Sequence, residues 1–225
     1  VKHTTNNAAV SGTQSLGGFI GIVLGLKQGT VLVFEHCANH GNISGNDKLI
    51  GGFVGIIDNS ANMIITISNS LNSGDVSGQS WGIGGFVGYI SCNTDIIVTV
   101  SNSINNGTLI GRSEIGGFVG SLNYNKNMTT TISNFTNNGN VTGSTDYVGG
   151  FVGHINSPSD PCSLTLDITN SANKGDASST NGMACGFFCV NLYSIMNMNA
   201  TMKNSINKGS VNAGTNGYGI TNNIT

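Results

Sequence analysis

A five-residue phrase that recurs about every 33 residues constrains this chain more than any other feature of its sequence. The phrase begins with a glycine pair and continues with an aromatic residue, an apolar residue and, in most copies, a further glycine. Its copies start 32 to 36 residues apart, at Gly17, Gly51, Gly84, Gly116, Gly149 and, in a degenerate copy, Cys185. Self-similarity at a period of this length is typical of repeat architectures, in which each unit covers the apolar face of its neighbour.

A second phrase, Asn-x-Gly, recurs with the same period and leads into a short apolar segment. Asparagine and glycine are frequent in turns because both tolerate positive φ. We therefore predict a turn at the glycine of each copy. These glycines are Gly41, Gly74, Gly107, Gly139, Gly175 and Gly209.

Between the two phrases the residues alternate in polarity with a period of two, which predicts a strand. In one copy Ile65, Ile67, Asn69 and Leu71 fall on the same side of that strand. The aromatic residue of the glycine phrase is predicted to point inward in every copy and to form the core. This row is Phe19, Phe53, Phe86, Phe118, Phe151 and Phe187.

One asparagine per copy interrupts the apolar side of the alternating strand. If the copies lie one strand spacing of about 4.8 Å apart, these side chains should stack as an interior ladder, each amide donating to one neighbour and accepting from the other. Such pairing satisfies groups whose unpaired burial costs on the order of 1 to 3 kcal/mol. The predicted asparagine ladder is Asn69, Asn102, Asn134, Asn170 and Asn204.

Each copy thus offers three short strands: the glycine phrase, the alternating segment, and a brief Val-x-Gly segment after the turn. Three strands make one coil of a parallel β-helix, so we predict an all-β fold, a β-solenoid of about seven coils of roughly 33 residues. The alternative is a meander or propeller of separate antiparallel sheets. The whole chain is one repeat array, with copies at 1–12 (partial), 13–45, 46–78, 79–111, 112–143, 144–179, 180–214 and 215–225 (partial or capping).

Composition sets limits on the function. Hydrophobic residues make up 38% of the chain, enough for a sizeable core, whereas charged residues make up 8% and the formal net charge is -2. The chain therefore lacks the basic surface by which proteins bind nucleic acid. No apolar run reaches the roughly 18 residues that a membrane-spanning helix needs.

The five cysteines, Cys37, Cys92, Cys162, Cys185 and Cys189, show no Cys-x-x-Cys zinc spacing. Free cysteine is among the most buried residue types, so most of them are predicted to be small apolar fillers, with a strained or intermolecular disulfide as the alternative. The acidic residues, which a polysaccharide-cleaving β-helix gathers in one cleft, fall at mostly different positions of the repeat. We therefore predict no catalytic, cofactor-binding or metal-binding residue.

The Gly-Gly-Phe-Val-Gly core, preceded by Ile50, Ile83, Ile115 or Val148 and followed by Asn-x-Gly-x-Val-x-Gly, resembles the GLUG motif. That family is named for a Gly-Leu-any-Gly core, and here phenylalanine stands at the leucine position. The resemblance covers nearly the whole chain. It implies repeats of large secreted or surface-attached proteins, including non-catalytic parts of bacterial immunoglobulin-A-cleaving peptidases. The Asn- and Ser-rich phrasing also looks like long repetitive proteins of anaerobic protists such as trichomonads.

Neither resemblance supplies a catalytic residue, and the expected function is a non-catalytic structural or adhesive repeat segment of an exported or cell-surface protein. Its partner would be a glycan or a cell-surface protein, with end-to-end self-association as a further option. Two alternatives remain open: a glycan-active β-helix enzyme or a passenger segment of a secreted peptidase, and a self-assembling filament unit.

Overall fold

The chain folds as a parallel β-solenoid of about six turns. The computed structural model describes residues 1–25, 27–59, 62–92, 94–124, 126–156, 163–190 and 197–214. In these residues the only regular elements are strands, arranged in five parallel sheets that we number I to V in chain order. They include no helix that is long and apolar enough to cross a membrane.

Each sheet collects one strand from every turn. Sheet I contains β1 (Thr5–Asn6), β6 (Ala38–Asn39), β11 (Leu71–Asn72), β16 (Ile104–Asn105), β21 (Thr136–Asn137), β26 (Ala172–Asn173) and β31 (Ile206–Asn207). Sheet II contains β2 (Val10–Gly12), β7 (Ile43–Gly45), β12 (Val76–Ser77), β17 (Leu109–Gly111), β22 (Val141–Gly143), β27 (Ala177–Ser179) and β32 (Val211–Asn212).

The other three sheets have six strands each. Sheet III contains β3 (Leu16–Gly17), β8 (Ile50–Gly51), β13 (Trp81–Gly84), β18 (Ser113–Gly116), β23 (Val148–Gly149) and β28 (Ala184–Cys185). Sheet IV contains β4 (Ile20–Leu24), β9 (Val54–Asn59), β14 (Val87–Cys92), β19 (Val119–Tyr124), β24 (Val152–Asn156) and β29 (Phe188–Val190). Sheet V contains β5 (Thr30–Glu35), β10 (Met63–Ser68), β15 (Ile96–Ser101), β20 (Asn127–Ser133), β25 (Ser163–Thr169) and β30 (Asn197–Lys203).

The β-solenoid prediction is confirmed, but a complete coil carries five strands where three segments were predicted. The glycine phrase spans the end of sheet III and the start of sheet IV. The alternating segment forms sheet V and continues, after a corner, into sheet I. The strands pair through equivalent residues of successive copies, as in Ile65↔Val98 and Val98↔Thr130. The repeat period of the sequence is therefore the turn of the solenoid.

Two separate apolar columns fill the interior. The larger column lies between sheets IV and V and contains the phenylalanines of the glycine phrase. Phe53, Phe86, Phe118 and Phe151 are fully buried, Phe187 is 3% exposed, and Phe19 is partly buried against the cluster. The second column is aliphatic and comes from sheets II and III, with Ile43, Ile50, Val76 and Ile83 among its members. The predicted phenylalanine row is thus part of the core.

The interior position predicted for Asn69, Asn102, Asn134, Asn170 and Asn204 is wrong, because all five are exposed. Each adopts the left-handed conformation, with φ of 48° to 51°, and turns the chain from sheet V into sheet I. The alternation of the strand ends at this corner, so the side chain points outward. Asparagine suits the corner because its short polar side chain tolerates positive φ.

The buried asparagine ladder lies three residues farther along the chain, on sheet I. Its fully buried members are Asn39, Asn72, Asn105, Asn137 and Asn173, and it extends to the partly buried Asn6 and Asn207. The Nδ2 group of each asparagine donates to the Oδ1 atom of the next across 2.7 to 2.8 Å. In Asn39 and its equivalents up to Asn207, the same Nδ2 also donates to the carbonyl oxygen of the glycine two residues on, across 2.9 to 3.0 Å.

The glycines of the Asn-x-Gly phrase lie at bends between sheets I and II, as predicted, but for a different reason. None of Gly41, Gly74, Gly107, Gly139, Gly175 and Gly209 has a positive φ. Instead, a Cβ atom at Gly74 or Gly107 would lie 2.0 Å from the carbonyl oxygen of the equivalent glycine in the preceding coil. Close stacking of backbones, and not conformational freedom, requires glycine here.

The two repeated phrases meet inside each coil. A Cβ atom on the second glycine of the pair, Gly85, would lie 2.8 Å from Asn105 Oδ1 and 2.1 Å from the carbonyl oxygen of Gly117. Gly52 faces Asn72 in the same way. The glycine pair therefore makes room for the ladder asparagine of its own coil, which explains why the two phrases occur together.

Candidate functional site

The outward side chains of sheet IV vary from coil to coil. In register along the sheet, Tyr89, Ser121 and His154 occupy one outward position of β14, β19 and β24. Two residues farther along, Asn123 and Asn156 form the neighbouring column on β19 and β24. Because the strands are one spacing of about 4.8 Å apart, these side chains border a common depression.

The depression is a cleft with a volume of about 150 Å³, which we call the aromatic–polar cleft. It spans three coils. Its lining consists of Trp81, Tyr89, Glu114, Ser121, Asn123, His154 and Asn156.

An aromatic pair forms one wall of the aromatic–polar cleft. The rings of Trp81 and Tyr89 meet edge to face with centroids 5.4 Å apart, an arrangement that aromatic pairs favour. The Lys48 ammonium lies 5.2 Å from the centroid of the Trp81 ring, within the range of a cation–π contact. Asn123 Nδ2 donates to the phenolic oxygen of Tyr89 across 2.8 Å and fixes the tyrosine against the sheet.

A carboxylate and an imidazole, those of Glu114 and His154, also line the cleft. Glu114 Oε1 lies 3.5 Å from His154 Nδ1, and the His154 ring stacks on Tyr147 with centroids 4.0 Å apart. Glu114 and Tyr147 occupy equivalent corner positions of successive coils, with φ of 54° and 68°. Burial raises the pKa of the Tyr147 phenol above its usual 10.0, and the nearby Asp146 and Glu114 carboxylates raise it further.

Two polar atoms of the cleft residues are buried without a hydrogen-bond partner among the described residues: Asn123 Oδ1 and His154 Nε2. His154 as a whole is 8% exposed. Buried polar atoms are almost always satisfied in folded proteins, by protein groups or by ordered water. Because both atoms are buried, a molecule in the cleft contacts neither of them in this arrangement of the side chains.

The cleft contains a single carboxylate, that of Glu114, within its described lining. Asp75 and Asp176, which share one position of the repeat, instead accept backbone N–H groups of the next coil, from Thr108 across 2.8 Å and from Ser210 across 2.7 Å. Asp160 lies outside the described residues. No group of three or more His, Cys, Asp or Glu side chains in the described part of the chain is placed to hold a metal ion.

Cys37 agrees with the predicted state of the cysteines, whereas the disulfide within the chain was not predicted. Cys37 is free and buried, as a small apolar filler would be. Cys185 and Cys189 form a disulfide in the last described turn, where the preceding copy has Gly149 and Gly153. Cys92 ends β14, and Cys162 lies outside the described residues.

The aromatic–polar cleft was not predicted from the sequence, although part of its signal was present. The position after Gly-Gly-Phe-Val-Gly is visibly variable, and Tyr89, Ser121 and His154 all occupy it. Trp81 and Glu114 lie at the start of sheet III, on β13 and β18, where the copies share no pattern that would align them with this column.

Comparisons with protein-family models, with curated proteins and with solved structures find no match for this chain.

Proposed function

We propose that this chain is a non-catalytic structural and adhesive segment of an exported or cell-surface protein. The solenoid acts as a spacer, and its outward side chains and loops provide the contact surface. The observation that carries the proposal is the division of each coil into a repeated interior and a variable exterior. The phenylalanine row, the aliphatic column and the buried ladder occupy the interior.

Two features support an exported location, and a third explains the neutral surface of the stack. The Cys185–Cys189 disulfide is of the kind that persists in oxidising compartments. The resemblance of the repeat core to the GLUG motif points to secreted or surface-attached proteins. The low content of charged residues leaves Asn, Ser, Thr and Gly to solvate the surface, and such neutral rows stack without the repulsion that like charges would cause.

The test is a glycan-array screen of the purified chain, run in parallel with an assay for the release of reducing sugar ends. Binding without release is the expected result and supports an adhesive contact surface. Release of sugar ends by the purified chain would contradict the non-catalytic proposal.

A glycan-active enzyme is the second candidate, and one observation favours it. Glu114 and His154 bring a carboxylate and an imidazole within 3.5 Å of each other at the edge of a cleft, where they could serve as acid and base. The usual glycosidase arrangement needs two carboxylates flanking the bond. If sugar ends are released, Glu114→Gln should abolish the release, whereas Asp167→Asn on sheet V should leave it unchanged.

A further inference from the structure

We propose that the outward side of sheet V, which we call the sheet V face, is an interface between two copies of this chain. The two copies pack face to face about a two-fold axis that runs parallel to the strands. The inference goes beyond the proposed function, because it assigns a partner to a surface other than the aromatic–polar cleft. It is carried by the side chains that the face exposes, by its area and by the positions of its charges.

The sheet V face repeats one set of outward side chains over consecutive coils. The outward residues of β10 and β15 alternate with buried ones and are, in order, an isoleucine, a threonine and a serine. They are Ile64, Thr66, Ser68, Ile97, Thr99 and Ser101. β20 continues the same columns with two threonines and a serine. The six strands pair in register without a bulge, so equivalent side chains stack in columns.

One column of the sheet V face leaves three aliphatic side chains partly uncovered. Val31, Ile64 and Ile97 are 54%, 38% and 45% exposed and lie side by side in register. None of the six described strands of sheet V contains glycine or proline, and β-branched residues dominate the first four. Segments of this composition with few charges pack closely against an identical sheet about 10 Å away, with their side chains interdigitated. A second copy of this chain is therefore a partner that fits the face.

The area of the sheet V face is at the lower limit for a specific interface. Six strands about 4.8 Å apart, with about six residues each at roughly 3.3 Å per residue, cover about 600 Å². Two copies therefore bury about 1,200 Å² in total, whereas most chance contacts in crystals bury less than about 800 Å². An interface of this size predicts a dimer with a dissociation constant in the micromolar range.

The charges of the sheet V face are complementary under the proposed axis. The described strands of sheet V contain three charged residues, Glu35, Asp167 and Lys203. Glu35 and Lys203 belong to one column and lie at its opposite ends, on β5 and β30. A two-fold axis parallel to the strands keeps each column opposite itself and reverses the order of the strands, so β5 faces β30 and β10 faces β25. Glu35 of each copy then lies opposite Lys203 of the other, and Asp167 lies opposite the Thr66 hydroxyl.

The existing ion pair of Glu35 is compatible with this arrangement. The Lys2 ammonium lies 2.7 Å from Glu35 Oε2, and a carboxylate has enough lone pairs to accept from a second cation. Among the described residues, Lys203 forms no ion pair within one copy. The two-fold arrangement therefore pairs Lys203 twice without breaking the contact of Glu35 with Lys2.

Sedimentation of the purified chain at concentrations from about 5 µM to about 500 µM tests the proposal. The mass should rise with concentration from that of the monomer and level off at twice that value. Ile97 lies on β15, next to the axis, so Ile97→Lys should weaken the association at least tenfold. The matched control is Ile110→Lys on sheet II, where the isoleucine is 53% exposed, and it should leave the association unchanged.

A charge reversal tests the direction of packing. Lys203→Glu sets two carboxylates opposite each other and should weaken the association about fivefold. Adding Glu35→Lys to Lys203→Glu exchanges the two charges and should restore it. A double variant no better than Lys203→Glu alone would overturn the two-fold arrangement.

A mass that stays at that of the monomer up to about 500 µM would overturn the proposal. So would an association that Ile97→Lys leaves unchanged, provided that circular dichroism shows the variant to be folded. A mass that rises beyond the dimer without levelling off would exclude a closed two-fold interface. Glycan binding by a chain that stays monomeric would overturn the dimer and leave the adhesive function standing.

Discussion

At the scale of single residues, asparagine occurs here in two opposite settings only three positions apart. Asn102 is exposed and left-handed at a corner, whereas Asn105 is fully buried in the ladder. The corner uses the tolerance of asparagine for positive φ, and the ladder uses its ability to donate and accept in line. Stability should therefore respond very differently to substitution at the two sites.

Asn105→Ala should destabilise the protein by roughly 3 kcal/mol, because it removes the hydrogen-bond partners of three buried groups. These groups are Asn72 Nδ2, Asn137 Oδ1 and the carbonyl oxygen of Gly107. The matched control is Asn102→Gly, which should change stability by less than about 0.5 kcal/mol because glycine also accepts the left-handed conformation. Urea unfolding followed by circular dichroism measures both, and equal losses would contradict the assignment of the buried ladder.

Tyr147 should make stability fall at high pH. Its pKa is raised above 10.0 in the folded protein, so the unfolded chain loses the phenolic proton first as pH rises. The stabilising contribution of the bound proton is complete below about pH 10 and is lost as pH passes through the raised pKa. Between about pH 8 and pH 11, the free energy of unfolding of the Tyr147→Phe protein should therefore fall less than that of the unaltered protein. Urea unfolding at each pH measures both. Parallel losses in the two proteins would show that this phenol is not responsible.

At the scale of elements, the glycine pair determines how sheets III and IV approach sheet I. Gly85→Ala should cost about 3 kcal/mol or more, since the new Cβ atom would meet the backbone of Gly117 and the side chain of Asn105. Gly12→Ala is the control, because its nearest neighbour is the flexible side chain of Leu16, at 3.0 Å. The measurement is the shift in melting temperature. A comparable loss in the control would indicate that alanine is harmful at glycine positions of the coil in general.

The sequence predicted some of the structural elements correctly and others not. The period and the Phe86 row followed from the recurring glycine phrase, and the long strand of each copy followed from alternation, which a parallel stack with in-register pairing preserves. The position of the ladder could not be predicted, because a left-handed residue at Asn69 interrupts the alternation, and nothing in the local pattern separates it from a strand residue. The cleft was missed since its lining comes from three coils and the residue types at its equivalent positions differ from copy to copy.

At the scale of the whole molecule, each coil contacts its neighbours through the same set of interactions, so stability should be close to a sum over coils. Deletion of residues 79–111, one complete copy, should leave a folded protein with a lower free energy of unfolding, because Gly78 and Gly111 occupy equivalent places. Deletion of residues 79–95 should abolish folding, because it brings non-equivalent strands together. Circular dichroism and urea unfolding distinguish the two, and a folded half-copy deletion would contradict the stacked register.

The buried ladder gives the stack a direction. Each amide from Asn6 to Asn173 donates to the asparagine of the following coil, so the two ends of any such segment differ, one offering acceptors and the other donors. A whole coil inserted or removed by recombination between copies restores every link, whereas an inverted or partial unit breaks the chain of donors. The number of coils can therefore change in evolution while the cross-section of the solenoid stays the same. The outward side chains can vary from one coil to the next.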